Sequence, residues 1–252
     1  MNFGKKHTKE QDQSFVTQRR LLLNANSGFY VQESYKTLRT NIRFALHTDG
    51  CKKICITSGM ASEGKSTTIL NLAISFAETG SRVLLIDADM RRPSLARLLI
   101  EKAAPGLSNV LAGLSTLEGA IRKELRPNLD VLFSGDIPPN PLELLGSPQM
   151  EKLIELLSRT YDYILFDTPP VGIVSDACEV SRLTDGVLFV VRQGQTEKDT
   201  VAQAVKQLEF SHAKLLGFVL NATVQEGKKN YKYNYRYKYR YKYTNEAVGN
   251  KK

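Results

Sequence analysis

Nine consecutive residues carry the most specific chemistry in the chain. Gly59, Met60, Ala61, Ser62, Glu63, Gly64, Lys65, Ser66 and Thr67 follow the pattern G-x-x-x-x-G-K-[ST]. Glycines at this spacing let backbone N–H groups turn inward as an anion nest at a helix N-terminus. Lys65 then reaches the β- and γ-phosphates of a nucleotide, and the Ser66 hydroxyl can ligate Mg²⁺. All nine residues are therefore assigned to a phosphate site, with ATP and Mg²⁺ as the expected ligands.

Three acids extend this site. Asp87 and Asp89 follow the aliphatic run Leu84, Leu85, Ile86, and Asp167 follows Ile164, Leu165, Phe166. An acid after a run of buried aliphatics falls at a strand tip, where a hard cation beside a nucleotide needs oxygen ligands. A single aspartate there is as readily a turn or capping residue. Three acids at two strand tips, together with the glycine loop, make the turn explanation weak for the set.

The second concentration of chemistry is C-terminal. Tyr231, Tyr233, Tyr235, Tyr237, Tyr239, Tyr241 and Tyr243 alternate with other residues, and residues 228 to 252 hold nine Lys/Arg against one acid, Glu246. The whole chain has a formal charge of +9 from 35 basic and 26 acidic residues, so the tail carries nearly all of the excess. With Ala247 and Val248 as its only aliphatic side chains it has little to bury and reads as disordered when alone. Basic residues interleaved with aromatics also suit nucleic-acid stacking, a membrane-surface segment or a strand added to another sheet. None of these explains a link to an ATP site, and no nucleic-acid partner is expected.

The elements that must position these residues alternate. Apolar strands are expected at 53–58, 82–87, 129–134, 161–167, 186–191 and 215–220, with helices at about 65–79, 141–158, 175–182 and 197–210. A helix over 29–46 precedes them, with Tyr35, Leu38, Ile42 and Ala45 at helical spacing. Such a pattern predicts an α/β fold, a mainly parallel sheet with helices on both faces, whose ligands bind beyond the carboxyl ends of the strands. The expected organisation is a flexible arm over 1–28, a P-loop domain over 29–227 and a disordered tail over 228–252. At 42% apolar residues, wholesale disorder is excluded. Cys51, Cys55 and Cys178 form no C-x-x-C pair and read as reduced thiols of a cytosolic protein. The polar N-terminus lacks the apolar core of a signal peptide. No apolar run approaches the roughly 20 residues of a membrane span, so a membrane role requires a partner or a surface contact.

The P-loop, the D-x-D-x-R segment from Asp87 to Arg91, the D-x-x-P segment from Asp167 to Pro170 and the tyrosine tail together resemble the bacterial tyrosine kinases that regulate capsule or exopolysaccharide synthesis. The related P-loop ATPases that partition DNA or position the division site are the alternative. Their loop carries a further signature lysine, at the position occupied here by Met60.

The kinase resemblance implies autophosphorylation of the seven tail tyrosines, in trans within a ring. Lys65, Asp87 and Asp89 would be catalytic, Ser66, Asp89 and Asp167 would hold Mg²⁺, and Asp87 would orient the tyrosine hydroxyl or accept its proton. The ring motif E-x-x-R-x-x-R corresponds to Glu33, Lys36 and Arg39, with lysine replacing the first arginine. A transmembrane modulator of the polysaccharide co-polymerase type, a cognate tyrosine phosphatase and recruitment of a cytoplasmic chain to the inner membrane face are further implications. Asn221 resembles a base-contacting asparagine, although an Asn after a strand is more often a turn residue. Arg91 and Arg92 are left open among phosphate, neighbour or tail contacts and simple solvated charge.

Overall fold

A computed structural model describes residues 19–47 and 49–223. The tail tyrosines, the expected disorder of the tail and the first 18 residues of the arm lie outside the described residues. The body ends at Asn221.

Helix α1 (Phe29–Ala45) leads into β1 (Lys52–Ser58), α2 (Lys65–Ala77) and β2 (Val83–Asp87). Three short helices follow, α3 (Leu95–Leu99), α4 (Leu107–Leu111) and α5 (Leu117–Ala120), then β3 (Ile121–Arg126) and β4 (Leu129–Leu132). The remainder is α6 (Pro141–Leu145), α7 (Pro148–Ser158), β5 (Tyr163–Asp167), α8 (Asp176–Ser181), β6 (Gly186–Arg192), α9 (Lys198–Phe210) and β7 (Leu215–Asn221). The seven strands form one sheet in the order β3-β4-β2-β5-β1-β6-β7. Every pairing is parallel except β3 with β4.

The central strands bury apolar residues on both faces because both faces are covered. Successive side chains alternate between faces. Ile54, Ile56, Leu85, Leu165 and Leu188 join the core beneath α1 and α2. Cys55, Leu84, Ile86, Phe166 and Phe189 join the opposite core, with residues of α7, α8 and α9. At the edge, β7 is only half covered, and Phe218 and Leu220 stay more than half exposed.

Three features depart from the sequence expectation. The stretch read as one helix over 141–158 breaks at Gly146. Ser147 restarts it, its hydroxyl accepting from the Met150 N–H at 3.2 Å with Pro148 in the first turn. Strand β3 and helices α3 to α5 had no strong periodic signal, being polar or only four to six residues long.

Part of the arm is also tied to the body. Leu22 and Leu23 are buried, each worth about 1.5–3 kcal/mol in transfer terms. The Leu23 N–H donates to Asn71 Oδ1 at 2.8 Å, Asn71 Nδ2 donates to the Leu21 carbonyl at 2.9 Å, and Arg126 donates to the Leu23 carbonyl at 2.7 Å.

Candidate active site

Strand β1 ends at Ser58, and the chain turns through Gly59–Gly64 before α2 begins at Lys65. The turn needs left-handed backbone at Ser62 (φ +64°) and Gly64 (φ +91°). A side chain at Gly64 would also meet Asn221 Nδ2 at 2.1 Å, so only glycine suits the position. The first N–H groups of α2 have no partners within the helix, and no acid occupies its first turn. The helix N-terminus is thus free to receive an anion. Lys65 is 7% exposed at this point.

The Glu63 side chain serves the loop's own structure. Its buried carboxylate turns into the protein, where Oε2 accepts from the Met60 N–H at 3.1 Å and Oε1 accepts from the Thr196 hydroxyl. The Met60 N–H, expected among the phosphate donors, is therefore already engaged. Asn221 Nδ2 donates to the Glu63 carbonyl at 2.9 Å, and Arg192 donates to the Ser62 carbonyl at 3.1 Å. The P-loop is braced from the ends of β6 and β7, and Asn221 contributes to that brace. Thr196 and Arg192 carry no local sequence signal for this role, because they lie more than 125 residues away along the chain.

The acids converge beside Lys65. Asp87 and Asp167 are register partners on adjacent parallel strands, and both are buried. Asp87 Oδ1 accepts from the Asp89 N–H at 3.2 Å and Oδ2 from the Leu95 N–H at 3.3 Å. Burial, then the charges of Asp167 and Asp89, push its carboxyl well above the usual range.

Asp167 is more exposed to cost, since neither of its buried oxygens has a hydrogen-bond partner. Burial pushes its carboxyl up to about 7, against the Lys65 charge and the Ser66 hydroxyl, which lower it, the hydroxyl from a position short of hydrogen-bond geometry. A buried carboxylate without partners is strongly disfavoured unless a cation joins it. Asp89 is partly exposed and its Oδ1 accepts from the Arg92 N–H at 2.9 Å. Lys65, Ser66, Asp87, Asp89 and Asp167 thus share one neighbourhood. Among the described residues no three His, Cys, Asp or Glu side chains form a ready metal cage. Mg²⁺ does not require one, because it usually takes one or two carboxylates and fills its shell with phosphate and water oxygens. The unpartnered Asp167 and the adjacent Ser66 fit such a site.

Arg91 is exposed to solvent but not free. Its fork donates to both carboxylate oxygens of Asp176, at 2.8 and 2.9 Å. Asp176, which opens α8, is a site-proximal residue with no local motif to single it out. The expected ring motif divides. Lys36 pairs with Glu33 at 2.8 Å on an exposed face, whereas Arg39 turns inward and donates to the Ser75 carbonyl and hydroxyl on α2. A mainly apolar cavity of about 630 Å³ lies between α8 and α9, lined by Ile173, Cys178, Lys206 and Phe210 among others. No P-loop residue and none of the three site acids lines it, so the phosphate chemistry is assigned to the P-loop.

The description "AAA domain" matches residues 51–216. The tyrosine-protein kinase YwqD of Bacillus subtilis (strain 168) is 42% identical over 201 residues, covering 80% of this chain and 85% of that protein. The kinase domain of the Escherichia coli tyrosine kinase ETK superposes with a TM-score of 0.75 at 33% identity, covering 80% of this chain and 79% of that one. A more distant neighbour is the septum site-determining protein MinD of Pyrococcus horikoshii OT3, complexed with Mg-ADP. It gives a TM-score of 0.58 at 26% identity and covers 71% of this chain and 72% of that one.

Proposed function

Because the chain belongs to the family of bacterial tyrosine-protein kinases, we propose that it transfers the γ-phosphoryl group of ATP to the tyrosines of its own C-terminal tail. The observation that carries the mechanism is the buried Asp87 and Asp167 pair beside Lys65 and Ser66, with both Asp167 oxygens unpartnered.

The backbone N–H groups of the Gly59 to Thr67 loop, apart from that of Met60, cradle the phosphates, and the Lys65 ammonium offsets charge on the transferring group. Ser66, Asp89 and Asp167 would hold Mg²⁺. When bound, the ion neutralises phosphate charge and orients the γ-phosphoryl group. Asp87 orients the acceptor hydroxyl and takes its proton as the tyrosine oxygen bonds to the γ-phosphorus and the bond to the β,γ-bridging oxygen breaks, releasing ADP. A tyrosine of pKa ~10 must lose that proton. A carboxyl raised by burial is a better match for the task than an ordinary aspartate.

The acceptors are Tyr231, Tyr233, Tyr235, Tyr237, Tyr239, Tyr241 and Tyr243. Ten residues separate Tyr231 from Asn221, a reach of roughly 33 Å at ~3.3 Å per residue. That reach is compatible with delivery to an adjoining subunit. The reading extends to transfer in trans within a homo-oligomeric ring, with Glu33, Lys36 and Arg39 at its interface. It also includes activation by a transmembrane modulator that brings a cytoplasmic chain to the membrane, reversal by a tyrosine phosphatase, and control of capsular or exopolysaccharide synthesis. No described helix is long and apolar enough to cross a membrane.

The test is where labelled γ-phosphate goes after incubation with Mg²⁺ and ATP, with and without the modulator's cytoplasmic segment. Label on protein, lost when all seven tail tyrosines become Phe, supports the kinase reading. Label only as free phosphate gives the site-positioning ATPase reading instead, to which the MinD likeness lends the fold.

A further inference from the structure

We propose that Asp176 is a positioning residue, acting through Arg91 to hold the loop that carries Asp87 and Asp89 over the phosphoryl-transfer site. The inference rests on the kinase reading of that site and assigns it a further working part.

Two loops bring the acids together, and they are anchored differently. The loop after β5 is fixed to β1. The Thr57 hydroxyl donates to the Pro169 carbonyl at 2.9 Å and accepts from the Val171 N–H at 3.0 Å. Farther along, Gly172 lies so close to the P-loop that a Cβ there would meet the Gly59 carbonyl oxygen at 2.3 Å. This loop therefore has a defined seat against the phosphate site, and it delivers Asp176 at its far end.

The loop after β2 is rooted by the Ala88 N–H, which donates to the Asp167 carbonyl at 2.8 Å, and by buried Met90, but its acids have a weaker frame of their own. Its two ends reach Asp87 through hydrogen bonds of 3.2 and 3.3 Å, at the long end of the range for N–H donors. Between them, the strongest tie to another element is the Arg91 fork on Asp176, at 2.8 and 2.9 Å. Asp176 has 0% of its side chain exposed, whereas Arg91 has 40%.

Burying a carboxylate merely for stability gains little, because its desolvation offsets most of the attraction. A two-point fork does something a point charge does not, fixing both distance and orientation. Arg91 is two residues from Asp89, so locking its guanidinium sets the path of the loop that presents Asp89 and wraps Asp87. The charges of Asp89 and Glu143 also act on the guanidinium, which places it on the acidic side of this loop.

The test uses the full chain and two variants. Arg91→Gln with Asp176→Asn removes both charges and leaves no orphaned ion, so folding is retained. Arg91→Lys keeps the charge but not the fork, and serves if the double variant does not fold. Three quantities are read: amide hydrogen exchange in nucleotide-free protein, affinity for a fluorescent ADP analogue, and γ-phosphate counted both on protein and as free phosphate.

Both variants are expected to exchange faster across residues 88–95 with the rest of the sheet unchanged. They should bind nucleotide within about twofold of the parent and turn over γ-phosphate about 10–100-fold more slowly, as losses of orienting partners do. Turnover at the parent rate in either variant overturns the proposal. So does uniformly faster exchange with lowered melting temperature, which marks a structural role only. A parent protein that releases all of its label as free phosphate defeats the kinase reading, while the variants still report on the pair.

Discussion

Asp130 lies near the start of β4 and Asp167 at the end of β5, so the two acids sit at opposite rims of the sheet. Both follow or sit within apolar strands, and both have little exposed surface. At the Asp130 rim every demand is met. The Tyr161 hydroxyl donates to Oδ2 at 2.5 Å, Lys123 donates to the same oxygen at 2.9 Å, and the Glu124 N–H donates to Oδ1 at 2.8 Å. Burial raises the Asp130 carboxyl, but these three donors outweigh it, and the group is held below the usual carboxylate range. At the other rim Asp167 has two buried oxygens and no donor for either. One acid completes the fold, and the other holds capacity in reserve for a ligand. The strand ends differ in the same way, since the phosphate loop and the catalytic candidates Lys65, Asp87 and Asp89 lie at the Asp167 rim.

The largest effect expected from breaking this contrast is on turnover. Asp87→Asn should lower tyrosine phosphorylation by about 10²–10⁴-fold, the usual range for loss of a general base, with much nucleotide binding retained in a fluorescent-nucleotide titration. Asp167→Asn should reduce Mg²⁺-supported turnover and, in contrast, raise the melting temperature of nucleotide-free protein at pH 8, because an unpartnered buried charge is removed. A fall in melting temperature would show that Asp167 has an unrecognised structural partner. Asp130→Ala should do the opposite, leaving turnover near the parent value while costing roughly 1–3 kcal/mol in urea unfolding through its abandoned donors.

Acidity separates the two rims more finely. Asp167 has a folded value of about 7, above its unfolded value near 3.9. The folded state therefore holds the proton longer, and this carboxyl contributes stability below pH ~4 that is lost as pH rises toward 7. Asp130 is shifted down, so its contribution is present above ~3.9 and is lost as pH falls through the folded value. Melting curves of nucleotide-free Asp167→Asn and Asp130→Asn protein should diverge from the parent in opposite pH directions. The smallest effect belongs to the exposed Glu33 and Lys36 pair. Lys36→Ala should change monomer stability by well under 1 kcal/mol, so any larger change in oligomer mass on sedimentation would report the interface.

Much of the Asp167 rim was legible in the sequence, for a physical reason. A strand buried on both faces must be apolar along its length, so β1, β2, β5 and β6 stand out without reference to their neighbours, and the acid that ends such a run is placed by the run. The glycine loop is similarly local, its geometry depending on residues at fixed offsets. Polar β3 offers no such run, and its residues make sense only once Lys123 is seen beside Asp130. Thr196 and Asp176 were invisible as parts of the site because their partners are distant in sequence, and Glu63, although placed in the phosphate loop, gave no sign that its side chain braces that loop. The buried segment of the arm did have a signal, in three consecutive leucines from Leu21 to Leu23, but that run is too short to show which element it packs against.

In the proposed function the carboxylates at the ends of β2 and β5 direct phosphoryl transfer to tyrosine. The most direct test of that role is mass spectrometry of residues 228–252 after the purified chain and its Asp87→Asn variant are incubated with Mg²⁺, ATP and the modulator segment. The account predicts phosphate on several of the seven tail tyrosines in the parent chain and none above background in the variant. Equal phosphorylation of the two proteins would contradict it.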